Sequence, residues 1–479
     1  MNTNNRPYDC TQVMPRVLTR REMLQTVSAG FGWLAFAGLS TQAAAPFQSP
    51  LLPKAPHFAA RAKRIIFLAM QGGPSHLDTF DYKPDLIADA GKAGDRGKLI
   101  APVMPFKQRG QSGLWISDAF ANVAEHADEL CLLNGMHTDI PNHPQAFVQL
   151  HTGSARFVRP SMGAWTLYGL GTENQNLPGF ITIAAPAAQG GAQNYGSAFL
   201  PASYQGTRIE EPKSAGGFAG KKQGNAAMAG ASEGIGNIRN SHLSLEAQRE
   251  QLDLVQSMNR DLLASSGANS DVEGVIQSYE LAFRMQTEVP KVMDFKKESA
   301  ATLKSYGIGS GTTDSFGKQC LMARRFAEAG VRFIEVCHQG WDHHNGLRNR
   351  LTASCAAVDQ PIAALLTDLK ERGLLKDTLV IWGGEFGRTP GNNGADGRGH
   401  NARGYTMWMA GGGVKGGMTH GATDHYGGAA VENKMHIHDL HATALHLLGL
   451  NHEKLTYRYA GRDFRLTDVY GRVVKEIIA

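Results

Sequence analysis

Five short stretches of the chain gather side chains that hold metals, move protons or bind anions, and each follows or precedes an apolar run. The densest is Trp341-Asp342-His343-His344-Asn345, behind residues 331–337 (VRFIEVC). An aspartate beside two histidines is poor loop filler, and carboxylate and imidazole are ordinary ligands for a divalent cation. Residues 377–401 (DTLVIWGGEFGRTPGNNGADGRGHN) place Glu385 just after the apolar run 378–382 and Gly383-Gly384, then Arg388, Asp396, Arg398 and His400 on what reads as a Gly-rich loop. Behind residues 129–136 (ELCLLNGM) come Thr138, Asp139, Asn142 and His143, ahead of a short helix at 145–150. Free N–H groups at a helix start suit an anion, so Asn142 and His143 are site candidates; the alternative is that Asn142 only caps the helix. Residues 71–81 (QGGPSHLDTFD) offer His76 and Asp78, and the run His436-Ile437-His438-Asp439-Leu440-His441 leads into a helix at 442–448.

These types and positions predict a divalent-metal site with ligands drawn from Asp78, Asp342, His343, His344, Glu385, His400 and His438. Zinc suits mixed nitrogen and oxygen donors, with manganese, iron or calcium as alternatives. Thr138 or Asp139 is the candidate nucleophile, and Arg388 or Arg398 the candidate anion binder. The histidines support one site, since eleven of the eighteen lie after residue 330, mostly at strand ends. His446 and His452 read as surface residues.

The elements that must position these groups are buried strands. Runs at 64–70, 129–136, 180–184, 331–337, 378–382 and 405–410 are short, apolar and rich in β-branched residues, as expected of strands covered on both faces of a parallel sheet. Helical patterns at 316–329 and 347–372 alternate with them, which gives an α/β chain. Residues 185–237 form a Gly-, Ala- and Gln-rich excursion, read as a cover or surface segment. Residues 241–295 read as a helical insertion packed on the sheet, with Leu245, Leu252, Val255 and Leu262 as one apolar stripe. With 479 residues and 42% hydrophobic content the chain can bury a large core, here taken as one domain over 46–479. A formal charge of +5 without a basic run argues against a nucleic-acid partner. Arg20-Arg21, a mild apolar segment and Ala43-Ala44-Ala45 predict a twin-arginine leader over residues 1–45, cleaved on export to the periplasm without leaving a membrane anchor. The four cysteines beyond it form no C-x-x-C pair and read mostly as buried thiols.

The succession of GGPSHLDTFD, PNH, VRPSMGAWTLYGLGTENQNLPGF, WDHH, EFGRTP, GRGHN, HIHDLHATALHLLGL and GRDFRLTDVYG resembles the domain-of-unknown-function 1501 (DUF1501) family, exported bacterial proteins abundant in planctomycetes. The resemblance covers nearly the whole mature chain. It implies an alkaline phosphatase-like fold, a large mixed, mostly parallel sheet sandwiched between helices with metals at the strand ends. By position, Glu385 stands where the superfamily has the aspartate of an Asp-His metal pair, with Phe386 in the place of the histidine. Gln71 lies nearest the usual metal-binding aspartate of the first strand. Asp139-Ile140-Pro141-Asn142-His143 is similar to the nucleophile segment of nucleotide pyrophosphatases, with Asp139 where the threonine would be and Thr138 adjacent. No Cys/Ser-x-Pro-x-Arg signature is present, which excludes a formylglycine sulfatase. The implied activity is hydrolysis of a phosphate or sulfate ester, small or on a polysaccharide. The alternative is a non-catalytic binding protein for an anionic polysaccharide.

Overall fold

The apolar runs become strands of one nine-stranded sheet. In the computed structural model the described residues are 49–95, 97–210, 242–266, 270–394 and 396–479; the leader and residues 211–241 of the Gly-rich excursion lie outside them. The chain divides into two units, and of the first (1–48 with 260–269) only the helix end at 260–266 is described. The second unit, 49–259 with 270–479, carries the sheet and the candidate residues.

In chain order the strands are β1 Arg64–Met70, β2 Leu130–His137, β3 Phe180–Ile183, β4 Thr207–Ile209, β5 Phe333–His338 and β6 Thr378–Gly383. They continue with β7 Gly387–Asn393, β8 Gly397–Asn401, β9 Tyr405–Ala410, β10 Met418–His420 and β11 Met435–His436. The sheet runs β10-β2-β9-β6-β1-β5-β3-β4, with β11 also beside β2. Only β9 is antiparallel to its neighbours β6 and β2; every other pairing is parallel. The carboxyl ends of β1, β2, β5 and β6 therefore share one edge of the sheet, the edge where open α/β sheets bind ligands.

The longer helices among the described residues are α1 His143–Thr152, α2 Met162–Leu170, α3 Leu245–Ser266, α4 Ser270–Met293, α5 Asp314–Glu328, α6 Leu347–Glu371 and α7 Ile437–Leu447. They cover both faces. Ile66, Leu68 and Met70 of β1 join a core with Met285 and Val289 of α4, Phe316 and Cys320 of α5, and Leu351 and Val358 of α6. Ile65, Phe67 and Ala69 join another with Phe147 of α1, Trp165 of α2 and Leu440 of α7. Alternate side chains of one strand thus enter opposite cores, so the strand reads as a continuous apolar run. Each fully buried Ile, Leu or Phe contributes about 1.5–3 kcal/mol by leaving water.

Two elements differ from the sequence reading. Residues 387–401 are not a loop but the antiparallel hairpin β7-β8, with a register shift between Arg388 and Asn392. Its Gly- and Asn-rich strands lack the apolar alternation that announces strands, because the carboxylate and carbonyl partners of two buried arginines fill the space that apolar contacts usually fill. Helix α3 leaves Leu245, Val255 and Leu262 exposed. It is held to α4 instead by Arg249, whose guanidinium donates to Glu280, and by the buried Gln256, which donates to the Ile276 carbonyl at 2.9 Å.

Candidate metal site

Glu385 sits one residue beyond the Gly-Gly end of β6, fully buried, and its two oxygens accept from the Gly72 N–H at 3.0 and 3.2 Å. Gly72 can serve there because its φ is +114°, and a Cβ would lie 2.7–2.9 Å from backbone atoms of Trp341 and Asp342. This close pass ties the end of β1 to the segment after β5. Glu385 Oε1 then lies 2.5 Å from His143 Nδ1. A carboxylate only accepts, so Nδ1 carries a proton, and in the neutral ring Nε2 keeps its lone pair. His143 is buried, and its Nε2 makes no hydrogen bond.

That nitrogen faces Asp342, whose Oδ1 is 3.2 Å away. The same oxygen lies 3.1 Å from His344 Nε2 and 3.4 Å from His400 Nε2, and it accepts from Arg388 Nη2 at 2.7 Å. One ligand atom from each of His143, Asp342, His344 and His400 falls within a sphere where all lie within 4.8 Å of one another. His400 Nδ1 donates to the Pro141 carbonyl at 2.9 Å, which also leaves its Nε2 as a lone pair. The Asn393 amide donates to His344 Nδ1 at 2.8 Å, so His344 Nε2 carries a proton toward His400 Nε2, 2.9 Å away. Turning that amide over reverses the tautomer and frees Nε2 as well.

The electrostatics match this geometry. Burial opposes the charge of Asp342, but the His143 and His400 rings beside it and the Arg388 guanidinium hold the carboxyl far below the usual range. Burial likewise opposes charging His143, and contacts with Asp342 and Glu385 outweigh it and raise its pKa. An imidazole with one nitrogen on a buried carboxylate and the other turned into a nest of donors is the arrangement of a metal-bound histidine with its outer-shell partner. Burial of an unpartnered ring nitrogen beside a carboxylate and two more imidazoles fits a divalent cation.

The structure places the other candidates elsewhere. Asp78 is fully buried in an ion pair with Arg398, Oδ2 to Nε 2.7 Å, and also accepts from Ser75 Oγ and the Val103 N–H. Arg398 gives its remaining donors to the carbonyls of Thr389, Pro390, Ile100 and Ala101, and Arg388 gives its own to those of Gly72, Gly73, Trp341 and Arg398. Both guanidiniums brace the hairpin and are not open to an anion. His343 turns away from His344 into the protein, near Ser354 Oγ at 3.3 Å, and burial pushes its pKa down to about 4. His76 donates from Nε2 to the Gly427 carbonyl. Thr138 is buried, its hydroxyl donating to Gln149 at 3.0 Å, and Asp139 accepts from the Gln149 amide. Asn142 is exposed and its side chain does not cap α1. His438 donates from Nε2 to the Gly153 carbonyl at 2.8 Å, in a separate cleft. Asp396 accepts from the Gly346 N–H at 2.9 Å and so anchors the start of α6. His452 is buried, with Nδ1 3.0 Å from Thr467 Oγ1, where the sequence suggested the surface. Phe386, next to Glu385, packs on the rings of His143 and His400 at 4.7 and 4.8 Å.

No curated protein matches the chain in sequence. Solved structures similar to it include the lipoteichoic acid synthase LtaP from Listeria monocytogenes, at 10% identity over 87% of this chain and 78% of that one, TM-score 0.34. The PsFucS1 sulfatase from Pseudoalteromonas sp. is similar at 14%, over 82% and 68%, TM-score 0.34. The C-terminal periplasmic domain of EcEptC from Escherichia coli, in complex with Zn, is similar at 8%, over 84% and 88%, TM-score 0.35. Likeness at this level carries no argument about chemistry, which rests on the residues above. The sequence profile described as "Protein of unknown function (DUF1501)" matches residues 62–478, nearly everything beyond the leader, and the chain belongs to that family.

Proposed function

We propose that this protein is a metal-dependent hydrolase of phosphate or sulfate esters. The observation that carries the reading is His143, its Nδ1 fixed by the buried Glu385 and its Nε2 unpartnered beside Asp342, His344 and His400. A divalent cation held by those four residues supplies Lewis acidity at an ester oxygen and lowers the pKa of a water molecule. Three imidazoles and a carboxylate favour zinc, manganese or iron over calcium, which takes oxygen ligands. Thr138 and Asp139 are both engaged by Gln149, so water is the nucleophile in this reading: it adds to phosphorus or sulfur, the ester bond breaks, and the alcohol leaves with a proton. Asn142, exposed beside His143 at the start of α1, is free to donate to an oxygen that gains charge. The twin-arginine leader read in residues 1–45 would place this chemistry outside the cytoplasm.

The test is elemental analysis of protein loaded with zinc or manganese, alongside hydrolysis of p-nitrophenyl phosphate and p-nitrophenyl sulfate. The expected result is about one metal per chain and turnover that a chelator abolishes. In Asn142→Ala the rate should fall roughly ten- to a thousandfold, the range for one such donor, with an unchanged melting temperature because the side chain caps nothing. Less than about 0.1 metal per chain after loading, with no turnover, would sink the proposal. A metal-free protein that still retained an anionic polysaccharide would instead be the non-catalytic binder.

A further inference from the structure

A cleft of about 640 Å³ opens between the start of α7 and residues 469–472, with Asp139 in its lining. It takes no part in the metal group. His438, 95% buried, lines it with an Nδ1 that has no partner. Because Nε2 donates to the Gly153 carbonyl, Nδ1 is a bare acceptor that needs a donor from whatever occupies the cleft. His436 is the converse. Its Nδ1 accepts from the His438 N–H at 3.2 Å, and burial lowers its pKa, so the neutral ring carries its proton on Nε2. That Nε2–H is 3.3 Å from Asp139 Oδ1 but lacks the angle for a hydrogen bond, and it too is unpartnered.

The rim completes an alternating set. The Asp139 carboxylate already accepts from the Gln149 amide, and the half-exposed Arg472, whose backbone N–H donates to Asp439 Oδ1 at 2.7 Å, holds its guanidinium 3.7 Å from Glu476 with further donors to offer. Val469 and Tyr470, both largely exposed, add apolar wall, and the Tyr470 ring lies parallel to that of His438 at 5.1 Å. A phosphate or sulfate group offers only acceptors and leaves His438 Nδ1 unmet; an ammonium ligand leaves the His436 Nε2–H unmet. Groups that both donate and accept, on a compact ring with apolar C–H faces, satisfy every wall at once. We infer that this cleft binds a hydroxyl-bearing sugar ring. The inference stands apart from the metal reading, since none of these atoms belongs to the metal group.

The experiment is saturation-transfer NMR on the full mature chain treated with chelator, using methyl glucopyranoside, galactopyranoside and mannopyranoside, with inorganic sulfate as the acceptor-only control. At least one pyranoside should bind saturably without metal, and sulfate should not displace it. Arg472→Ala and Tyr470→Ala, both at exposed positions and therefore expected to fold, should each weaken binding roughly tenfold, the size of one charged hydrogen bond or comparable apolar contact. No saturable pyranoside binding, displacement by sulfate, or parent-like binding in both variants would overturn the inference. Ester turnover that survives such a failure would leave the metal reading standing, so the two are told apart.

Discussion

Helix α1 carries two buried histidines about 12 Å apart along its axis, each with a buried glutamate at 2.5 Å. His143, at the rim, meets Glu385 just beyond β6; His151, deeper in, meets Glu335 within β5. The difference lies in the second ring nitrogen. His151 Nδ1 is 2.7 Å from the Phe147 carbonyl, so both nitrogens face acceptors and the ring is an imidazolium in a closed ion pair. His143 Nε2 makes no hydrogen bond, although Asp342 Oδ1 lies 3.2 Å away, and it opens onto Asp342, His344 and His400 together. The imidazole of the same residue pair is thus hydrogen-bonded at both nitrogens in one place and at one nitrogen in the other, and the open one is where a ligand belongs.

The largest expected effect breaks the closed pair. Glu335→Ala leaves a buried imidazolium without its counter-charge and should cost about 3–5 kcal/mol of stability, read by denaturant unfolding. Replacing both partners, as in His151→Leu with Glu335→Leu, should recover much of that loss, because an apolar pair leaves no uncompensated charge. His143→Ala should cost less stability, since Glu385 keeps the Gly72 N–H as a partner, while removing metal binding. If Glu335→Ala unfolds like the parent, the two pairs are not different in kind.

How far the sequence shows this contrast depends on what each residue touches. Glu335 and His151 sit inside VRFIEVC and an apolar helix, and nothing in those runs marks them as partners; only the register of β5 against β1 and the placing of α1 over it do. The strands themselves are legible, because burial on both faces writes apolar residues at every position. Asp342, His344, Glu385 and His400 stand out as polar groups at strand ends. That His343 turns inward while His344 turns to the group is backbone geometry that two adjacent identical letters cannot carry. Gly397 explains why: a Cβ there would lie 1.8 Å from the His344 carbonyl, so hairpin and Asp342 segment meet through bare backbone.

A smaller effect sharpens the open pair. Glu385→Gln keeps the shape beside His143 but weakens the acceptor that fixes Nδ1–H and the ring's basicity, and should lower metal affinity about 10- to 100-fold. Competition with a chromophoric chelator measures this directly. Stability should change little by comparison, and unchanged metal affinity would show that Glu385 does not act through His143.

The smallest effect is the pH dependence of the closed pair. For His151, burial opposes the charge but Glu335 and the Phe147 carbonyl outweigh it, so its pKa is raised in the folded protein. Its contribution is fully present below the unfolded value near 6.5 and is lost as pH rises through the folded value. For Glu335, burial raises the pKa but the His151 charge outweighs it and the net shift is downward. Its contribution is fully present above the unfolded value of about 4.3–4.5 and is lost as pH falls through the folded one. Both are complete only between roughly pH 4.5 and 6.5. The stability gap between the parent and Glu335→Gln, from urea unfolding at a series of pH values, should therefore be widest near pH 5.5 and narrow toward pH 9. A gap that grew steadily with pH would mean that His151 is neutral in the fold.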